Sequence, residues 1–395
     1  MTSEQEAEEA VMPNEATQQP GRGPALRTRD VFGVPALPPA PVTSLVNRLR
    51  SGLAWMVRAP APPPVQILEG LFGVLDLAAL SALCRTGVPE RLTAPTDVEA
   101  LAADVDADPD RLARLLRYAA SRGWVRLDRR GRVRPTPVLA FLRADHPAGW
   151  RAWVEFMSGD EVLAALSRLD AGMRADGDPF AAGVGAPFFA WMSANPSRHA
   201  VFDAAMEAGG RMHGLVLARS LDWSASRRVC DVGGGTGALL ATLLGAHPHL
   251  EGVLLELPEV AARTPAVAGM TVVGGDAFEE VPAGCDTYLL VNVLHDWSDD
   301  VATRLLSSVA TAMADGEAAA APTRAFVVEG RTDERPRDDL STRTDLLMFA
   351  LTAGGRERTG PEFAALAGAV GLRLHRTKHL PSGAVAHELR PAAAN

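Results

Sequence analysis

His295 stands in the string Leu294-His295-Asp296-Trp297-Ser298-Asp299-Asp300, just after the apolar run Thr287 to Val291. Imidazole, with an ordinary pKa of about 6.5, can take a proton near neutrality. A phenolic hydroxyl, with a pKa of about 10, is a poor nucleophile until such a base removes its proton. Two carboxylates are candidates to support that base. Glu329 closes the run Phe326-Val327-Val328, and Glu357 lies in Gly354-Gly355-Arg356-Glu357-Arg358-Thr359. Either is suited to hydrogen-bond the ring, fix its tautomer and stabilise the imidazolium. For Glu357, a surface ion pair with the neighbouring arginines is the competing reading.

A second group of residues suits binding. Arg228-Val229-Cys230-Asp231-Val232 runs into Gly233-Gly234-Gly235-Thr236-Gly237, and a helical segment follows from Ala238 to Leu244. Glycines permit a tight turn and close approach of a ligand, while a helix N-terminus offers free N–H groups. Gly233, Gly235 and Ala238 satisfy the dinucleotide pattern G-x-G-x-x-A, so a nicotinamide cofactor is the first alternative. Three acids argue against it. Asp231, just before the glycines, suits the cationic amino group of a methionine moiety. Glu256, 23 residues after Gly233, ends the second apolar run and suits two ribose hydroxyls. Asp276, in Gly274-Gly275-Asp276-Ala277-Phe278, offers a carboxylate to an adenine amine beside apolar ring contacts, with a plain turn residue as its alternative. Together they predict S-adenosyl-L-methionine as the ligand. His295 then points to methyl transfer onto a hydroxyl, where alignment of oxygen, methyl carbon and sulfur carries much of the acceleration.

These side chains need a scaffold. The runs Val229 to Val232, Val253 to Leu257, Met270 to Val273, Thr287 to Val291 and Ala325 to Val328 alternate with helical segments. That rhythm predicts an α/β, Rossmann-like, doubly wound parallel sheet whose ligand edge is the C-terminal end of its strands. Upstream, Leu68, Leu71, Phe72, Leu75, Leu77 and Leu80 recur at helical spacing up to Gly87. Thr96 is read as the cap of a helix through Leu101, Asp108-Pro109 opens another over Arg111 to Arg122, and Trp124 to Leu127 with Val133 to Pro135 read as a hairpin. This is a winged-helix pattern. Nine arginines between Arg111 and Arg134 raise the alternative of DNA binding, but Asp104, Asp106, Asp108 and Asp110 sit just upstream and no second basic arm follows. A structural or dimerising domain is the preferred reading. Residues 147–215 are rich in aromatics, as a helical cap over a pocket or an ordinary core would be.

Bulk composition narrows the class further. The chain has 395 residues, with 47% hydrophobic and 22% charged residues and a net charge of −9. An acidic total disfavours nonspecific binding to DNA or anionic membranes. Cys84, Cys230 and Cys285 are widely spaced and form no metal-like cluster, so reduced thiols, no metal and a cytoplasmic location are expected. No apolar run is read as approaching the ~18 residues of a membrane span. Residues 1–20 carry five glutamates and no basic residue, and proline runs follow at Pro35 to Pro41 and Pro60 to Pro64. Residues 1–63 are therefore read as a disordered tail, with a short basic amphipathic segment near Leu45 to Arg58. Residues 64–194 are the winged-helix dimerisation and cap domain, and 195–390 the Rossmann-like domain.

The strings DVGGGTG (231–237), ELPEV (256–260), GGDAF (274–278), LHDWSDD (294–300), VVEG (327–330) and GGRERTGPEF (354–363) resemble, in order and spacing, the caffeate-type small-molecule O-methyltransferases and their bacterial antibiotic-tailoring relatives. The likeness covers about residues 66–390. It implies His295 as base, flanked by Glu329 and Glu357, in a metal-independent reaction on an aromatic or polyketide-type substrate. It places S-adenosyl-L-methionine at Asp231, Gly233, Gly235, Glu256, Leu257, Asp276, Ala277, Phe278 and Asn292, with Trp297 against the adenine. Substrate positions fall on Phe202, Met206, Met348, Phe349 and Thr352, and the resemblance implies a homodimer. The pair His247 and His249 lies in an ordinary helix-to-strand loop of the family. Departures are Val291 where plant members carry a lysine, Glu256 where they carry an aspartate, an insertion at Glu317 to Pro322, and the tail. The rival reading keeps the scaffold but changes the chemistry, to N- or C-methylation or to a non-methylating step such as hydroxylation.

Overall fold

A computed structural model describes residues 38–146, 148–315, 323–330, 332 and 339–392. Most of the expected tail (1–37) and the insertion at 317–322 lie outside the described residues. The part of the tail inside them is not without structure. Ala40–Arg58 forms a helix in which no residue is buried, and Pro63–Phe72 forms another. Prolines at their first turns explain why the runs that suggested disorder also start helices, since proline lacks the N–H that a first turn leaves unpaired anyway.

Val74–Arg85 continues directly from the second of these helices, so Pro63–Arg85 is long and apolar enough to cross a membrane by length and composition. The sequence predicts a helix here, up to Gly87, but no apolar run of ~18 residues, whereas the structure gives one of 23 residues. Its C-terminal part packs instead into an N-terminal core of Leu83, Leu101, Leu112, Leu116, Val125 and Val133. Helix Val98–Asp104 starts from Asp97, and Thr96 does not cap it: Thr96 pairs in a bridge with Val133. Asp108 does cap Pro109–Ser121, accepting from the Arg111 N–H. The hairpin joins β1 (Val125–Leu127) to β2 (Val133–Pro135). At its turn, Asp128 accepts from the side chains of Arg132 and Arg134, so part of the arginine run is neutralised within the hairpin.

The second half holds a seven-stranded sheet in the order β5-β4-β3-β6-β7-β9-β8. β3 is Arg228–Val232, β4 Glu251–Glu256, β5 Met270–Gly274, β6 Thr287–Val291 and β7 Arg324–Glu329, all parallel. The chain builds outward from β3 to β5, then returns to the other side of β3 for β6. That reversal creates a crevice at the C-terminal ends of β3 and β6, where ligands bind in such sheets. The central strands are buried on both faces between two cores, one around Tyr288, Leu305 and Phe363, the other around Leu240, Leu254 and Phe326. The sequence rhythm did not reveal β8 (Leu372–His379) and β9 (Val385–Pro391), which extend β7 with antiparallel pairing.

Candidate active site

Asp231 is the last residue but one of β3, with 1% of its surface exposed. Its Oδ2 has no hydrogen-bond partner, and a Cβ at Gly234 would lie 2.4 Å from that atom, so only glycine leaves it room. Burial, aided by the charge of Glu256, pushes the Asp231 pKa up to about 7. Gly233 and Gly235 take φ values of 68° and 60°, the left-handed region that glycine tolerates. A Cβ at Gly233 would also come within 3.3 Å of Val293, which follows β6. The turn is thus pressed against the far wall of the crevice.

Glu256, at the end of β4, accepts the Gly235 N–H through one carboxylate oxygen and the Leu257 N–H through the other, each at 3.0 Å. Asp276 is exposed beyond β5 and accepts the Phe278 N–H at 2.9 Å. Leu257 is exposed, while Ala277 and Phe278 are half-buried beside the sheet core. Trp297 meets Phe278 edge-on at 5.1 Å and stacks on Phe189 at 5.6 Å. Acids therefore line the ends of β3, β4 and β5, with an apolar and aromatic flank. An orphaned, buried carboxylate oxygen beside a glycine turn fits an ammonium group, and the set as a whole fits an adenosyl amino acid.

His295 lies in a single 3-10 turn, Leu294–Asp296, after β6. Its Nδ1 is 3.1 Å from Glu357 Oε1, and the two side chains are 13% and 2% exposed. Glu329, at the end of β7, does not touch the ring: its Oε1 accepts the backbone N–H of His295 at 2.9 Å. Asp296 Oδ1 sits 3.6 Å from Nε2. Burial alone would lower the His295 pKa, but the charges of Asp296, Glu357 and Glu329 outweigh it and raise it to about 9. Burial raises Glu329 to about 7 and Asp296 to about 6. Gly330 makes room for Glu357, whose Cδ would be 2.8 Å from a Cβ there. The surface ion pair considered for Glu357 is not found; the carboxylate is buried against the imidazole.

Two residues of this region were not singled out in the sequence. Arg358 is fully buried and clamps the turn that carries His295: Nη1 donates to the Leu294 carbonyl at 2.8 Å, Nη2 to that of Trp297 at 2.6 Å, and Nε to Asp299 at 2.8 Å. Its alternation with Arg356 in Gly355-Arg356-Glu357-Arg358 gave no sign of which arginine turns inward. Replacing Arg358 with Met should lower stability by about 2–4 kcal/mol, because two buried carbonyls lose a charged donor. Urea melts would measure this, and a loss below about 0.5 kcal/mol would remove the clamp from the account. His213, from the long helix Pro196–Ser220, faces the amide of Asn292 at 3.2 Å. Asn292 follows β6 with a φ of 54°, and a lone histidine in a long helix carried no signal of that contact.

The expected substrate positions come from two helices. Phe202 lies 5.4 Å from Phe156 and 5.2 Å from Phe188, and with Met206 it packs on a core that includes Phe180 and Leu351. Met348 and Thr352 are buried at the end of Leu340–Leu351, where the Thr352 hydroxyl donates to the Met348 carbonyl. The Phe349 ring lies against Gly172.

Comparison with known proteins bears on this geometry. Residues 166–373 match the O-methyltransferase domain family. The O-methyltransferase SfmM3 of Streptomyces lavendulae is 32% identical over 79% of this chain and 96% of its own length. Aclacinomycin 10-hydroxylase RdmB of Streptomyces purpurascens is 35% identical over 78% of this chain and 84% of its own. Among solved structures, the O-methyltransferase NcsB1 from neocarzinostatin biosynthesis, in complex with S-adenosylmethionine and 2-hydroxy-5-methyl naphthoic acid, is 28% identical. It superposes with a TM-score of 0.64 over 82% of this chain and 98% of its own. The Rossmann-like sheet and these matches together establish that the chain belongs to the S-adenosylmethionine-dependent O-methyltransferase family.

Proposed function

We propose that this enzyme methylates a phenolic hydroxyl of an aromatic or polyketide-type secondary metabolite, with His295 as general base. The observation that carries the reading is the buried contact of Nδ1 with Glu357 at 3.1 Å, at the ligand edge of β6. A carboxylate on Nδ1 keeps the proton there and leaves the Nε2 lone pair for the acceptor O–H. Glu329 acts on the backbone of the same turn, so it positions the ring without touching it. When bound, S-adenosylmethionine supplies an electrophilic methyl on a sulfonium. Asp231 would hold its amino group, Glu256 its ribose, and Asp276 with Phe278 and Trp297 its adenine, within the wider set Gly233, Gly235, Leu257, Ala277 and Asn292. Phe202, Met206, Met348 and Thr352 would wall the acceptor, and Phe349 would back that wall from Gly172.

The same reading extends to the assembly. Residues 64–194 would form the dimerisation and cap domain, and 195–390 the catalytic one. Helices Ala40–Arg58 and Pro63–Phe72 expose Leu45, Leu49, Leu53, Ile67, Leu71 and Phe72, an apolar surface that a second copy of the chain would cover. Cys84, Cys230 and Cys285 are free and buried, as suits a cytoplasmic enzyme.

The test is to incubate the purified protein with S-adenosylmethionine and a panel of hydroxylated naphthoic acids and anthraquinones, and to follow both products by mass spectrometry. O-methylated acceptor and an equal amount of S-adenosylhomocysteine are expected, from a protein with the solution mass of a dimer. A second reading follows from the likeness to a protein named as a hydroxylase. Oxygenated product with no consumption of the cofactor would support it and sink O-methylation, and a monomeric mass would sink the dimer.

A further inference from the structure

His295 is ringed by acids from three elements. Glu357 Oε1 bonds Nδ1, Asp296 Oδ1 lies 3.6 Å from Nε2, and Glu329 of β7 holds the backbone N–H. The opposing groups are few. Arg358 directs its guanidinium at Asp299 and two carbonyls. His213, from the helix Pro196–Ser220, is kept neutral by burial and by His295, its pKa lowered to about 4. Three carboxylates against one committed arginine make this pocket favour a cation. In the chain by itself that cation is the imidazolium of His295, whose pKa stands at about 9. An imidazolium cannot take a proton from the acceptor, so a base held this way is switched off near neutrality.

We propose that the acid cluster Asp296–Glu329–Glu357 keeps His295 protonated in the free enzyme, and that the sulfonium of the arriving cofactor takes over this positive charge and expels the proton. The inference rests on the reading of His295 as the base. Nε2 must come within one hydrogen bond of an oxygen that is itself in line with the methyl carbon, which puts the sulfonium about 7 Å from Nε2. At an effective dielectric constant of about 20, one charge at that distance lowers a pKa by roughly 2 pH units. The base is then free in the neutral range where it is needed. On transfer, the acceptor proton goes to Nε2, an oxygen lone pair forms the O–C bond, and the C–S pair returns to sulfur as a neutral thioether. The positive charge is back on the imidazolium, so the pocket holds one such charge at every stage. Asp296 has no part in the proposed proton transfer; it is assigned here as a positioning residue that sets this charge.

Calorimetry in two buffers of different ionisation enthalpy reads the proton directly. At pH 8, S-adenosylmethionine should release about 0.7–0.8 proton more than S-adenosylhomocysteine. Both ligands carry the amino group that meets Asp231, so the difference isolates the sulfonium. The preference for S-adenosylmethionine over S-adenosylhomocysteine should also rise roughly 20-fold between pH 7 and pH 9. His295→Gln should abolish the excess release, and Asp296→Asn should reduce it; an unchanged excess in Asp296→Asn removes that residue's assignment. Equal release by the two ligands, or an excess that persists in His295→Gln, overturns the proposal. If release is equal while turnover still depends on His295, only the charge exchange fails; if turnover survives His295→Gln, the base assignment fails.

Discussion

Replacement of His295 by Gln should lower turnover by about 100- to 10,000-fold, while at pH 9, where about half of the free wild-type rings have already lost the proton, affinity for S-adenosylmethionine changes by less than about threefold. The two effects separate because the turn is held through its backbone. Glu329 accepts the amide N–H of residue 295, and Arg358 holds the carbonyls of Leu294 and Trp297, so none of these bonds needs the imidazole. What would be lost is the group proposed to remove the acceptor proton. A protonated ring could not serve in that role, so wild-type turnover should rise with pH until the ring is neutral and then level off. Gln at 295 should flatten that rise. Single-turnover kinetics across pH 6 to 10 would measure both, and a variant that keeps wild-type turnover would remove His295 from the chemistry. Glu357→Gln should give a smaller loss of turnover, since it leaves the ring in place but weakens its hold on the Nδ1 proton.

Asp231→Asn should weaken cofactor binding by about 10- to 100-fold, the worth of one charged hydrogen bond in a buried site, and yet make the free protein more stable. The second part follows from the sign of the shift. Asp231 has a folded pKa raised to about 7, above the ordinary carboxylate value. The fold therefore disfavours its ionised form, and stability falls as pH rises from about 4 to about 7, with the full loss present above that range. Asn carries no charge to penalise. At pH 8 the variant should gain about 2–4 kcal/mol without ligand, and show a smaller rise in melting temperature on adding S-adenosylmethionine. A free variant that melts below the wild type would show that burial of this carboxylate is not costly, and would weaken its assignment to the ammonium.

The parts legible in the sequence were those encoded locally. Asp231, Glu256, Glu329 and His295 announce themselves because the first three lie within one residue of the end of a short apolar run and His295 follows another, and a parallel strand's end is the ligand edge. The capping box of Thr359 and Glu362, read only as part of a motif, likewise needs four consecutive residues. What stayed hidden depends on long-range pairing. Arg358 and Arg356 differ in nothing local, yet one is buried against a turn 64 residues away and the other pairs with Glu362 on the surface. His213 meets Asn292 across 79 residues. β8 shows Arg373, His375, Arg376 and Lys378 at the sheet margin, a polar pattern unlike the buried parallel strands, so the rhythm that found β3 to β7 passed over it. Thr96 looked like a cap because capping and bridge pairing both use the residue just ahead of a helix; the hairpin decided between them.

The backbone clamp on residues 294–297 also bears on how such a fold diversifies. Arg358 and Glu329 fix the path of the chain and leave the identity of the side chain at 295 outside the framework they maintain. A lineage that exchanges that one side chain, and with it the reaction, keeps the course of the turn, and the compensation it needs is confined to the acids that faced the imidazole, Glu357 above all. Change at this position is thus separated from the backbone constraint though not from the charge of its pocket, which makes the turn and its acids one unit of departure for new catalysts within a single architecture.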